Sequence, residues 1–442
     1  MSIVILHGWS DKSESFKGLK DVISAGMGAP PVAIHLADWL SLQDDVTMTD
    51  LAEAMQQAWM SKGLSTVPGS HDVVVHSTGA LVVREWMTRY YTPATVPIKR
   101  FVMLAPANFG SGIAHKGQSF IGRAVKGWNT GFQTGTQLLR ALELASPYTA
   151  DLADRDLFKG GQRWYGAGNI LATVLVGDTG YDGIRSIANE GGSDGTVRIS
   201  TANLNAVRVE LEIGSQPGSV ANVRTTNVNG DIGFGVLAGH THGSIVDRGN
   251  GAIYQTRDKL LLAALRIQDA SYPAAPGDPF PWQQQLTLDA DPGQARDKLQ
   301  NTVVHLKDHL GHEVPDYFFE FYRDPSNNNP KNRKFEEDFY KKVVNDVHVY
   351  GNNKSWRALY LDINALKAMQ AQIQQLYVSV CASPIFNERT QPVGYKGTAN
   401  DSTGELVIPN ARLDHYFAPH RTMIIRATIP RYQADRVFQI KP

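Results

Sequence analysis

The stretch that most constrains the fold of this chain runs from Asp72 to Trp86. Val73, Val74 and Val75 are three β-branched residues in a row, and they lead without a spacer into His76-Ser77-Thr78-Gly79-Ala80. Apolar residues then recur at Leu81, Val82, Trp86, Met87 and Tyr90, a spacing that gathers them on one face of a helix. The pattern predicts a buried strand, a tight turn at Ser77 and a helix. Gly79 and Ala80 keep side chains small where that helix has to pass close to the strand. Taken alone, a serine in such a turn is also well suited to be an N-cap.

The surrounding chain repeats the same grammar. Ile3 to Leu6 is a short strand that ends at His7-Gly8-Trp9-Ser10, Val32 to Leu36 is a second strand, and Thr49 to Met60 is a helix with Leu51, Met55 and Trp59 on one face. Lys99 to Ala105 forms a further strand closing at Pro106. Strands alternating with helices imply a mostly parallel sheet covered on both faces. Ligands of such sheets gather beyond the carboxyl ends of the strands, where His7, Ser77 and Pro106 all fall. Between Asn108 and about Tyr148 the pattern changes to a glycine-rich segment carrying Phe109, Ile113, Phe120, Ile121, Trp128 and Phe132. It is either a cap over the sheet's ligand end or an excursion packed permanently against the sheet.

Downstream, the unbroken apolar run in Asn169–Gly177 is a fully buried strand. Ser193-Asp194-Gly195-Thr196-Val197 follows, with Asp178 and Asp182 nearer the strand end. Taken alone, Asp194 is also well suited to be a turn aspartate preceding glycine, the commonest role of an Asp-Gly pair. Val207 to Ile213 alternates as a strand, and His240-Thr241-His242-Gly243-Ser244-Ile245 precedes a last helix from Ile253 to Leu265. Two histidines two residues apart, with no Cys or further His nearby at ligand spacing, do not make a metal site.

Together these residues resemble the α/β-hydrolases of the lipase and esterase type over residues 1–268. The strand-Ser77-helix passage is similar to the family's nucleophile elbow, Gly-x-Ser-x-Gly, with Val75 standing where the first glycine usually is. The resemblance implies that Ser77 is the nucleophile and that the backbone N–H groups of Trp9 and Thr78 form the oxyanion hole. It further implies Asp194 as the acid and His242 as the base, in the Ser, Asp, His order this fold uses; His240 and Asp182 are the alternatives. The glycine-rich segment 108–148 matches the position of the family's lid. The implied activity is cleavage of carboxylic esters, lipids above all, through an acyl-enzyme, as in a lipase, phospholipase or esterase. Amidase or thioesterase chemistry on the same fold stays open, as does a non-catalytic binding protein built on it. No cofactor and no metal are expected.

Composition narrows the field. The 442 residues exceed one average domain, and Lys plus Arg equals Asp plus Glu at 43 each, so no net field draws in nucleic acid. The single cysteine, Cys381, cannot form an internal disulfide and is expected in the core. With no signal peptide and no apolar run of membrane-spanning length, the expected location is cytoplasmic, or outside by a signal-independent route. Asp269 to Trp282 is proline-rich, and a stiff linker is expected at 269–283. Beyond it, short alternating strands predict an all-β sandwich over 284–442. In that sandwich, His305, His309 and His312 are expected as hairpin residues, not ligands. The sandwich carries none of the catalytic residues, which leaves it peripheral contact with lipid aggregates or a partner protein.

Overall fold

The structure is a computed structural model that describes residues 1–6, 16–39, 45–114, 135–182, 189–214, 222–290, 297–323, 330–396 and 406–435. In chain order its strands are β1 (Ser2–Leu6), β2 (Val32–Ile34), β3 (His71–His76), β4 (Ile98–Leu104), β5 (Leu171–Gly177), β6 (Val207–Glu212), β7 (Asn222–Asn227), β8 (Ile232–Leu237) and β9 (Leu299–Asp308). They continue with β10 (Tyr317–Tyr322), β11 (Val344–Val349), β12 (Trp356–Asp362), β13 (Gln375–Ala382), β14 (Val393–Gly394), β15 (Leu406–Pro409), β16 (Thr422–Ile429) and β17 (Tyr432–Gln433). The chain forms two compact units, residues 1–205 with 228–297, and residues 206–227 with 298–442.

The first unit is built on a six-stranded sheet in the order β2-β1-β3-β4-β5-β8, with every neighbouring pair parallel. Val73 to Val75 are fully buried because β3 lies inside the sheet, between β1 and β4. On one face Ile5, Val74, Val102, Leu104, Leu175 and Leu237 pack with Leu19 and Ile23 of the helix Lys17–Met27 and with Leu260 and Leu261 of the helix Ala252–Ala264. The helices Met48–Ser61 and Gly79–Tyr90 pack on each other through Trp59 and Trp86, whose rings lie 4.8 Å apart. The former begins at a capping box in which Thr47 and Asp50 exchange side-chain and backbone hydrogen bonds. The strand order reverses between β1 and β3, which is the topological switch point of a doubly wound sheet.

The expected proline-rich linker is a strap of this first unit. Asp269 accepts from Lys99 Nζ at 2.8 Å and from the Gly168 N–H at 2.7 Å. Trp282 is buried and donates from Nε1 to Thr173 Oγ1 at 2.9 Å, and Gln283 pairs with both backbone groups of Phe234. A Cβ at Gly233 would come within 2.7 Å of the Trp282 ring, so β8 accepts the indole only because residue 233 has no side chain. The compact units divide at 297/298, past the expected 269–283, because Tyr272 and Trp282, on either side of the prolines, are buried in the first unit.

The second unit contains a six-stranded mixed sheet in the order β11-β12-β9-β16-β6-β7 and a three-stranded antiparallel sheet, β10-β13-β15. Their inner faces share one core, with Val209, Leu211, Val304, Leu306, Leu359, Leu361 and Met423 from the first sheet and Phe319, Phe321, Leu376, Val380 and Ile408 from the second. This is the expected sandwich, with a helix added to its core. The helix Pro330–Lys342 belongs to the same core through Phe335 and Phe339, and Phe339 stacks on Phe321 with ring centroids 4.3 Å apart. Cys381 is half-buried, opposite the exposed Phe318, because it falls on the outward-facing register of β13. Its thiol is pushed up to about 12 by burial and by the neighbouring Glu320 carboxylate. Among the described residues no helix is long and apolar enough to cross a membrane.

The strand expected at Val207–Ile213 exists, but it pairs with β16 and β7 in the second unit. Its alternation follows from this, since Val207, Val209 and Leu211 face the sandwich core while Arg208 and Glu210 are only half-buried. A chain ending at Asp297 would keep β6 and lose the core its apolar face fits. Such a chain is expected to aggregate. Removing residues 206–227 as well, with Asn205 joined to Val228 by a short glycine linker, is expected to restore soluble protein. Soluble yield and size-exclusion profiles of the two chains check this, and a soluble monomeric first chain would contradict it.

Candidate active site

Ser77 follows the last residue of β3 and has φ 54°, a left-handed conformation that a residue with a Cβ adopts at a cost of roughly 1–2 kcal/mol. Flanking interactions hold it there. Its N–H donates to the Leu104 carbonyl at 3.0 Å, and the helix Gly79–Tyr90 starts two residues later. A Cβ at Gly79 would lie 3.4 Å from the Val75 Cβ and 3.5 Å from the Leu6 carbonyl oxygen. These are ordinary van der Waals distances, so Val75 packs against the start of the helix without strain.

The turn lifts Ser77 Oγ to 3.0 Å from His242 Nε2, and His242 Nδ1 lies 2.9 Å from Asp194 Oδ2. The three residues are separated by 117 and 48 positions in sequence, with Ser77, Asp194 and His242 only 5%, 0% and 2% exposed. A carboxylate can only accept, so Nδ1 carries the proton and Nε2 is left to accept from the serine hydroxyl. Asp194 is built to remain an acceptor. Its Oδ1 takes the N–H groups of Thr196 at 2.9 Å and Val197 at 2.7 Å, and its backbone carbonyl takes the His242 N–H at 2.8 Å. Gly195 has φ 89°, and a Cβ there would press to 2.7 Å from the Tyr181 ring, so the Asp-Gly pair is required by the loop geometry.

The alternatives are placed elsewhere. His240 is fully buried, with Nδ1 3.1 Å from Ser244 Oγ and Nε2 3.1 Å from the Ile253 carbonyl. Burial holds its pKa below the usual imidazole value. It fills a structural position above Gly177, whose Cβ, if present, would clash with the His240 carbonyl at 2.0 Å. Asp182 is exposed. Thr78 sits at the start of the elbow helix, where backbone N–H groups point outward without intrahelical partners. Trp9 and the rest of His7-Gly8-Trp9-Ser10 lie outside the described residues, as do Phe120, Ile121, Trp128 and Phe132. Both described ends of the glycine-rich segment are tied down. Phe109 and Ile113 are buried, and the N–H groups of Phe109 and Ser111 donate to Thr201 and Leu142.

Sequence reasoning did not single out two residues behind the site. His76 donates from Nε2 to the His242 carbonyl at 3.0 Å. Arg84, seven residues beyond Ser77 on the elbow helix, is fully buried and forms two bonds to Asp156, at 2.7 and 2.9 Å. Asp156 also accepts from Tyr165, and Arg84 Nη1 reaches Asn108 Oδ1 at 3.3 Å. Burial pulls the guanidinium pKa down, and the Asp156 carboxylate more than reverses this, so the group stays charged. Asn108 in turn donates to the Ala202 carbonyl at 2.7 Å, which joins the loop after β4 to the segment following Asp194. A charged residue inside an otherwise apolar helix face, at Arg84, was the available signal.

No protein-family model matches this chain, and no curated protein sequence matches it. Among solved structures it is similar to the phospholipase PlaB from Legionella pneumophila, at a TM-score of 0.81 and 21% identity, covering 100% of this chain and 96% of that one. A second structure of that phospholipase, in complex with thio-NAD, gives a TM-score of 0.80 at 21% identity over the same shares of each chain. At this identity the likeness is one of fold. The fold is that of the α/β-hydrolases, extended by a second, sheet-rich unit.

The geometry separates the two histidines and the two acids by experiment. His242→Ala and Asp194→Asn are expected to slow reaction of Ser77 with a fluorophosphonate probe by about 10³-fold or more. His240→Ala is expected to keep the labelling rate within a few-fold and to lower the melting temperature, since it strands the Ile253 carbonyl at a cost of about 1–3 kcal/mol. Asp182→Asn is expected to change neither. Labelling kinetics and thermal melts on the four variants check the assignment.

Proposed function

We propose that this protein is a serine hydrolase that cleaves carboxylic esters, with lipid esters as its substrates. The observation that carries the proposal is the unbroken hydrogen-bonded line from Ser77 Oγ through the His242 imidazole to Asp194, on residues that are all buried. In this scheme Ser77 attacks the acyl carbon while His242 Nε2 takes the hydroxyl proton. His242 then returns that proton to the departing alcohol, leaving an acyl-enzyme that water hydrolyses by the same steps in reverse order. Asp194 keeps the proton on Nδ1 and stabilises the imidazolium between those transfers. The negative oxygen of each tetrahedral intermediate is assigned to the backbone N–H groups of Thr78 and Trp9, because pre-aimed donors need no reorganisation as charge develops.

The lipid part of the proposal is supported by the likeness of fold, over the whole of this chain, to the phospholipase PlaB. Neither a cofactor nor a metal has a step in this scheme. The second unit contributes no group to the proposed chemistry and is assigned to contact with substrate aggregates or a partner protein.

Ser77→Ala removes one oxygen from a site already shaped by its backbone, so the variant is expected to fold. It is expected to lose about 10³-fold or more in kcat on p-nitrophenyl esters and all covalent labelling by fluorophosphonates. A series of acyl chain lengths, followed by phospholipid dispersed in detergent, tests the substrate class. Wild-type turnover in the Ser77→Ala protein, or no turnover of any ester by the native one, would falsify the proposal.

A further inference from the structure

We propose that His76, the residue immediately before Ser77, is a positioning residue that clamps the backbone of His242 through its Nε2–H and so holds the proposed base in register with the nucleophile. This assignment rests on the serine-hydrolase proposal above.

Residues 76 and 242 are 166 positions apart, yet they meet at two points. His76 Nε2 lies 3.0 Å from the His242 carbonyl oxygen, and the two rings pack with centroids 4.6 Å apart at an interplanar angle of 42°. A carbonyl oxygen can only accept, so the proton of His76 is on Nε2. The imidazole is itself 4% exposed, and the Phe16 ring stands edge-on to it at 5.8 Å. Together with the two contacts from Asp194, this hydrogen bond holds His242 at its backbone N–H, its backbone carbonyl and its Nδ1. Only Nε2, the atom facing Ser77, is left to take part in proton transfer.

The local backbone explains how neighbouring residues reach one target. On a regular strand, successive side chains point to opposite faces of the sheet. His76 ends β3, and the left-handed φ at Ser77 breaks that alternation. Consecutive side chains can therefore converge on His242, one at its carbonyl and one at its ring. The elbow thus fixes the donor of the attacking oxygen and the frame of its acceptor in a single turn. Because His242 has to lie within hydrogen-bond reach of Ser77 in every proton transfer, loosening its backbone affects the chemical step and not the binding of substrate.

The test uses the full-length protein and two substitutions. His76→Phe keeps a ring of similar size beside Phe16 but removes the donor, and it strands the buried His242 carbonyl. His76→Gln keeps a donor near the position of Nε2. The Phe variant is expected to lose about tenfold or more in kcat on a soluble p-nitrophenyl ester with little change in KM, and the Gln variant to regain most of that loss. Melting temperatures show whether each variant is folded, and a purely structural role would lower them without separating kcat from KM. Imidazole nitrogen NMR of the native protein is expected to show His76 as the Nε2–H tautomer, whether or not any ester is turned over. Should the Phe variant fail to fold, the Gln variant and the tautomer still decide. Wild-type kcat in the Phe variant, a Gln variant with kcat lowered tenfold, or an Nδ1–H tautomer at His76 would overturn the clamp. Absence of turnover in the native protein would instead remove the hydrolase proposal and leave the tautomer to test the hydrogen bond.

Discussion

The left-handed backbone at Ser77 is the constraint on which the rest of the site depends. It is unfavourable for a residue with a side chain, and the flanking structure has to hold it in place. β3 lies between β1 and β4 and cannot shift without breaking two parallel ladders, and the helix after it is anchored through Trp86 on one side and Arg84 on another. The strained turn also sits where the strand order reverses, the position at which ligands of open α/β sheets gather.

Burial of the polar line sets a second requirement. Asp194 is fully buried and would be costly there without compensation, and the loop answers with two backbone N–H groups on Oδ1 and the imidazole on Oδ2. The Arg84–Asp156 pair meets the same demand on the far side of the elbow helix, with Tyr165 and Asn108 taking up the remaining bonding capacity. These two buried networks are linked by covalent chain and by Asn108, which bonds the segment following the acid loop. A polar interior of this kind keeps its geometry only while every member is satisfied.

The organisation of the chain into units is less modular than its punctuation suggests. The backbone leaves the first unit after Asn205, contributes β6 and β7 to the mixed sheet of the second, and returns at Val228 before leaving again after Asp297. The proline-rich strap belongs to the first unit because Tyr272 and Trp282 are buried there. Prolines stiffen a segment, but the aromatic residues that flank them decide where it lies.

Local sequence was sufficient for the elements whose signals are local. The β-branched run into Ser77 and the three-and-four spacing beyond it express short-range sterics, so they are legible residue by residue. The turns that carry Ser77, Asp194 and His242 were legible for the same reason, and the structure brings the three side chains within hydrogen-bond distance. Only the tertiary structure gives the His240 and His242 rings their different partners. Both sit in one turn, and what separates them is which ring points at a loop 48 residues away and which at the Ile253 carbonyl. The partner sheet of β6, the roles of His76 and Arg84 and the burial of Trp282 were hidden likewise. Alternation tells that a strand has one buried face, and a buried arginine tells that a counter-charge exists. Which surface or carboxylate answers is fixed by contacts between residues far apart in the chain, and no spacing along the sequence encodes them.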